Sequence, residues 1–203
     1  FLLPFPPHPT PFDTTDMGES FWWPLGYTGH EPMEPTPLPL MSGTAVIEQP
    51  AALDAIAQRY ADTASDFVLT NAERGKPFFL YLSFNHVHAP NSCSPKFCGS
   101  SSAGPIGDAI QEMDWSVGQL MDVLRHAGVD DNTLVFFTSD NGAPLANDAG
   151  GNLPLRDGKA STWEGGFKEP GIARWPGRIP SNSKSHALVS TMDIFTTVVT
   201  IAG

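Results

Sequence analysis

The sequence predicts an α/β fold with a mostly parallel central sheet flanked by helices. Three observations predict it. The run Thr133-Leu-Val-Phe-Phe-Thr-Ser-Asp-Asn-Gly142 is apolar and β-branched and then stops on Asp140-Asn141. Leu134 to Phe137 read as a strand buried on both faces, because a continuous apolar run suits a sheet covered by helices. Phe78-Phe-Leu-Tyr-Leu-Ser-Phe84 reads as a second such strand. A helical pattern precedes each, and the order helix, strand, helix, strand implies right-handed crossovers and parallel neighbours.

Taken in order, residues 1–50 hold most of the prolines, among them Pro4, Pro6, Pro7, Pro9, Pro11, Pro32, Pro35, Pro37, Pro39 and Pro50. Proline fixes φ and removes a backbone donor, so this segment is expected to be irregular, extended and packed on the rest, with Phe21-Trp22-Trp23 pinning it. From 51 to 203 the chain reads as one domain or a large piece of one. Leu53, Ile56, Ala57, Tyr60, Ala64, Phe67 and Val68 have the three-and-four spacing of an amphipathic helix that Gly75-Lys76-Pro77 breaks. Ile106, Ile110, Met113, Val117, Leu120 and Leu124 repeat the pattern up to Gly128. Pro170 to Trp175 reads as a further strand. Met192 to Ala202 reads as a short apolar helix with Asp193 in its first turn, where the helix dipole favours a negative charge.

Composition excludes some functions. The chain has 203 residues and a formal net charge of −11, with no Lys/Arg-rich segment, which argues against nucleic acid and anionic lipid as partners. No apolar run reaches the length of a transmembrane span. An anionic substrate would need a local positive charge. Cys93 and Cys98 suit a small disulfide loop or two free thiols equally, and no Cys/His set completes a zinc site around them. The chain opens at Phe1 without an initiator Met, so a piece of a longer protein is expected.

Both predicted strands deliver polar residues at their C-terminal ends, where open α/β sheets place ligands: Asn85-His86-Val87-His88 after one, Asp140-Asn141 after the other. A carboxylate beside an amide carbonyl offers the hard oxygen donors that Ca²⁺ or Mg²⁺ prefer; the ordinary reading is an Asx-Gly turn. Lys159, after Gly158 in a long loop, could project into the same site; by default it is a solvated lysine.

Several segments together resemble the sulfatase family of the alkaline-phosphatase superfamily, close to its arylsulfatase A and N-acetylgalactosamine-6-sulfatase branch. They are Lys76-Pro-Phe-Phe-Leu-Tyr81 with His88-Ala-Pro90, Phe137-Thr-Ser-Asp-Asn-Gly142, Gly158-Lys-Ala-Ser-Thr-Trp-Glu-Gly-Gly166, Glu169-Pro170, Trp175-Pro-Gly177 and Met192-Asp-Ile-Phe-Thr-Thr197. The match runs in order from about Pro50 to the C-terminus. The resemblance implies metal-dependent hydrolysis of a sulfate ester on a sulfated small molecule or glycan, in a lysosomal or secreted setting. It makes Asp140 and Asn141 two of four metal ligands. His88 becomes the histidine that contacts sulfate and protonates the leaving oxygen, and Lys159 the lysine that holds sulfate. His86 reads as a neighbour. Asn141, where zinc phosphoesterases of the superfamily carry His, selects Ca²⁺ or Mg²⁺ over zinc.

The family's nucleophile, a cysteine in Cys-x-Pro-Ser-Arg converted to formylglycine, is absent, as are its paired aspartates, its Gly-Lys-Trp-His element and its C-terminal subdomain. Cys93-Ser-Pro-Lys96 lacks the Ser and Arg and lies after the His88 strand, so it reads as a decoy. In Phe12 to Gly18, which resembles the segment where relatives carry a site serine before Asp-Met-Gly, Thr14 takes that place, and no role follows. The expectation is an internal fragment with an incomplete sheet, not active alone; homo-oligomerisation is left open. The rival reading is a structural or carbohydrate-binding protein on a sulfatase scaffold that has lost catalysis.

Overall fold

The computed structural model describes residues 38–88, 91–145 and 151–203. The proline-rich run to residue 37, with Thr14 and the Phe21-Trp22-Trp23 cluster, lies outside the described residues.

The described part of the proline-rich segment is not all irregular. β1 (Leu40–Ser42) and β2 (Ala45–Glu48) form an antiparallel hairpin, with Ser42 opposite Ala45. Gly43 turns the chain at φ +59°, a conformation L side chains rarely adopt, and this suits a two-residue hairpin loop. Glu48 closes the hairpin onto the next helix: its carboxylate accepts the Ala52 N–H at 2.7 Å and pairs with Arg59.

α1 (Ile56–Glu73) follows a short 3₁₀ turn at Leu53–Ala55 and buries Ile56, Ala57, Tyr60, Ala61, Ala64 and Val68. This is the face the apolar spacing predicts. Gly75 stops the helix at φ +61°. Leu40, Ala51, Ile56 and Tyr60 form a buried cluster, with Leu82 and Phe84 packed against it. Burial raises the Tyr60 phenol above its ordinary range. The alanines of α1 leave room for α2 (Gly104–His126) to pack alongside.

α2 has the predicted length, but its buried face differs from the expected one. Of the predicted apolar positions only Leu124 is fully buried, and Ile110 is 46% exposed. Asp108, Glu112 and Ser116, one turn apart, are buried instead, beside Gly107 and Ala109. The reason is hydrogen bonding. Asp108 accepts the Gly99 and Ser101 N–H groups at 2.7 Å each, and Glu112 accepts the Ser94 N–H. Satisfied in this way, a carboxylate can be buried where an unpaired one would be costly. The Gly99 and Ser101 donors hold the Asp108 carboxyl below the usual range.

The sheet differs from expectation most. β3 (Val135–Thr138) pairs antiparallel with β4 (Gly171–Arg174), in the register Val135↔Arg174 to Thr138↔Gly171. The expected parallel neighbour, residues 78–84, forms no strand and has no strand partner among the described residues. Its two faces diverge: Leu82 and Phe84 meet the α1 cluster, whereas Phe79 and Tyr81 are 65% and 76% exposed. Nor is β3 buried on both faces, since no helix of the described residues covers it. A crossover rule constrains only strands that are sheet neighbours, and β3's neighbour here is the strand that follows it. Arg174 forks onto Asp130 at 2.7 and 2.8 Å, tying this ribbon to the turn after α2. That guanidinium holds the Asp130 carboxyl low.

α4 (Thr191–Ala202) begins where Asp193 accepts the Ser190 N–H at 2.7 Å. Its apolar residues Met192, Phe195, Val199 and Ile201 are all exposed.

Candidate active site

His88 closes a tight turn at the end of the 78–84 segment, its N–H donating to the Asn85 carbonyl at 3.0 Å. Its side chain is exposed, and its Nε2 lies 3.3 Å from Lys159 Nζ, across 71 residues of sequence. An ammonium has only donors, so Lys159 can hydrogen-bond Nε2 only where that nitrogen is the acceptor. Two residues singled out from separate parts of the chain therefore meet.

Asp140 and Asn141 follow β3 after Ser139. The Asn141 N–H donates to Asp140 Oδ1 at 2.9 Å, and Asn141 Nδ2 donates to the Gly142 carbonyl at 3.2 Å. With its nitrogen so committed, the Asn141 amide has its oxygen as the atom that could face a cation. Backbone contacts join this pair to the Lys159 loop. Gly142 N–H donates to Gly166 O, and Lys159 N–H to Ala143 O, both at 3.0 Å. Asn152 clamps the same junction: Oδ1 accepts Ala143 N–H at 3.0 Å, and Nδ2 donates to Ala143 O at 2.8 Å and Asp157 O at 3.1 Å.

Space at this junction admits only glycine. A Cβ on Gly142 would lie 1.8 Å from Gly165 O, and one on Gly158 would lie 2.4 Å from Ala143 O. Asp157 and Ala160, on either side of Gly158-Lys159, take left-handed φ values of 66° and 72°. Such conformations persist only where the surroundings over-determine them, and they gather at working sites. Arg156 lies over the Trp163 ring at 3.5 Å, and the short helix α3 (Glu164–Phe167) backs the loop.

Sequence reasoning missed the role of two carboxylates. Glu169 appears in a matching segment with no task. It lies two residues before β4, as Asp140 lies two residues after β3, near enough for the Asp140 charge to act on it. Burial raises the Glu169 carboxyl, the Ser139 hydrogen bond opposes that, and the Asp140 charge adds to it. A parallel-sheet expectation could not bring these residues together. Glu112 lies in an otherwise apolar helical pattern, where counting hydrophobic residues passes over it.

Cys93 and Cys98 are joined in a disulfide, so neither presents a thiol, in keeping with the decoy reading. Among the described residues no three His, Cys, Asp or Glu side chains converge as a metal cage. Asp140 and Asn141 are hard oxygen donors of the type Ca²⁺ or Mg²⁺ takes, and they fit as part of such a site. No helix among the described residues is long and apolar enough to cross a membrane.

An ammonium touching an imidazole, beside an oxygen-donor pair at a strand end, is an arrangement suited to an anionic ester and a divalent ion on a mixed helix-and-strand scaffold. The family profile described as Sulfatase matches residues 17–203, and the chain belongs to the sulfatase family. It is 47% identical over 151 residues to N-acetylgalactosamine-6-sulfatase of Mus musculus, covering 73% of this chain and 29% of that protein. It is 43% identical over 171 residues to steryl-sulfatase of Rattus norvegicus, covering 81% of this chain and 29% of that protein. Among solved structures it resembles the PsFucS1 sulfatase from Pseudoalteromonas sp. at a TM-score of 0.71 and 38% identity, over 74% of this chain and 30% of that one. The chain thus spans under a third of the length of these relatives.

Proposed function

We propose that the protein carrying this chain is a sulfuric ester hydrolase of the arylsulfatase type, acting on a sulfated small molecule or glycan with the help of Ca²⁺ or Mg²⁺. The observation that carries the reading is the 3.3 Å contact between Lys159 Nζ and His88 Nε2, in a chain of the sulfatase family.

The roles follow from the chemistry of the groups. Lys159 supplies the local positive charge that a protein of net charge −11 otherwise withholds from an anion. A sulfate oxygen set between the two residues accepts from Lys159 and releases the Nε2 of His88. His88 is then free to hold a proton there and deliver it to the departing alcohol or phenol oxygen. Asp140 and Asn141 would hold the divalent ion with further ligands from the rest of the protein. When bound, the ion neutralises charge on the sulfate group. The nucleophile's motif is not in this chain, so attack on sulfur needs a group from the rest of the protein, whereas holding the sulfate and the proton needs only Lys159 and His88.

The wider reading has residues 51–203 as part of a catalytic α/β domain, with segment 1–50 packed on it. In the whole protein the 78–84 segment and β3 would join a mostly parallel central sheet. The exposed Phe79 and Tyr81 support this, as an apolar face left open by the described residues. A lysosomal or secreted location is supported by the Cys93–Cys98 disulfide, since such bonds persist in oxidising compartments.

The test uses the full-length protein and an aryl sulfate. Cleavage that falls at least about a hundredfold in His88→Ala, at unchanged folding, is the expected result for lost general acid catalysis. Full turnover in that variant removes His88 from the reaction. Glycan binding by a full-length protein that cleaves no sulfate ester would favour the scaffold reading.

A further inference from the structure

Glu112 lies on the buried side of α2, its side chain 2% exposed, facing the His86 ring at 1%. The distance between Glu112 Oε2 and His86 Nε2 is 3.3 Å. The Ser94 N–H donates to both oxygens of the same carboxylate, at 3.1 and 3.2 Å. One residue thus grips both the loop that carries the disulfide and the turn that carries His88. The disulfide loop has other anchors, the Asp108 bonds to Gly99 and Ser101 and the Ser100 hydroxyl on Gln111. Among the described residues the turn is held by Asn91 Nδ2, which donates to Val87 O at 2.8 Å, and by the His88 N–H, which closes on the Asn85 carbonyl.

His86 Nδ1 is buried without a hydrogen-bond partner. Glu112 is therefore the polar partner that fixes the direction of the ring's Nε2. Two residues later, His88 meets Lys159. A carboxylate facing an imidazole away from water is a strong, directional contact, and removing one partner leaves the other unpaired.

We infer that Glu112 is a positioning residue for His88, acting through the buried ring of His86. The catalytic consequence rests on the sulfate-ester reading above. The geometric coupling from Glu112 to His88 does not.

The experiment compares full-length wild type with Glu112→Gln, which keeps the side-chain volume and an acceptor for Ser94 but loses the charge. The expected result with an aryl sulfate is a fall in kcat of about ten- to a hundredfold with KM little changed, the signature of a displaced reacting group. Added to His88→Ala, the same substitution should cost nothing more, because its effect passes through the missing ring. Unchanged kcat, or an effect that persists in full without His88, overturns the inference. His86→Gln and His86→Leu keep the question open to test if Glu112→Gln does not fold. The Gln nitrogen can replace Nε2 and should retain kcat, whereas Leu should lose it. Equal activity in the two refutes the proposal.

If the wild type cleaves no sulfate ester, the functional reading falls, and histidine ring NMR still decides the coupling. His88 resonances that move in Glu112→Gln support it, and resonances that stay in place overturn it.

Discussion

Replacing Gly142 by Ala tests whether the Asp140-Asn141 end of β3 and the Lys159 loop are one unit. The added Cβ would sit 1.8 Å from the Gly165 carbonyl oxygen, 2.8 Å from its carbon and 3.3 Å from Gly166 Cα. All three are backbone atoms, so no side chain can swing aside. The two segments must part by roughly 1 Å or more, an overpacking strain of about 1–3 kcal/mol. The Gly142 N–H to Gly166 O bond, now 3.0 Å, lengthens with it and adds about 1 kcal/mol. Urea unfolding of the full-length protein, followed by tryptophan fluorescence, should register a loss of about 2–4 kcal/mol on those two contributions. Turnover of an aryl sulfate should fall as well, since Ala143 O anchors the Lys159 amide one residue further on. A loss below about 0.5 kcal/mol, within the range of ordinary surface substitutions, would refute the close-packed junction.

Opening the Cys93–Cys98 bridge by paired substitution to Ser should cost about 2 kcal/mol for so short a loop, read by the same unfolding curve. An unchanged curve would mean that the loop is held entirely by the α2 carboxylates. Asp108 and Asp130 both have depressed carboxyl pKa values. Their contribution is fully present above the unfolded carboxylate range and is lost as pH falls through their folded values. Melting temperature should therefore drop on acidification, and Asp108→Asn with Asp130→Asn should flatten that drop. An equally steep acid limb in the double variant would assign the effect to other groups.

The helices were legible because period is a local property. The Ile56, Tyr60, Ala64, Val68 series buries as spaced, and Gly75 and Gly128 end their helices at positive φ. The buried side of α2 was not legible, because Asp108 and Glu112 are buried in answer to amides of a loop that no hydrophobic count anticipates. The hairpin at Leu40–Glu48 was hidden by the prolines before it, although Gly43 marked its turn. The antiparallel β3–β4 ribbon was hidden by a rule that holds only for sheet neighbours, and with it went the nearness of Glu169 to Asp140. His88, Lys159, Asp140 and Asn141 were nominated through resemblance, their separate local signals being weak, and of these the structure brings Lys159 onto His88. What joins the end of β3 to the Lys159 loop is the glycine-tight junction, whose Gly142, Gly158, Gly165 and Gly166 were visible as letters but not as contacts.

The polar seam on α2 carries a warning for protein engineering. A redesign that judged Asp108 and Glu112 by burial alone would install leucines there and gain apolar area. It would also strand the amide hydrogens of Ser94, Gly99 and Ser101 together with the nitrogen of His86. A sturdier helix would then come at the expense of the loops it was built to moor, so thermostabilising libraries should hold these two acids fixed.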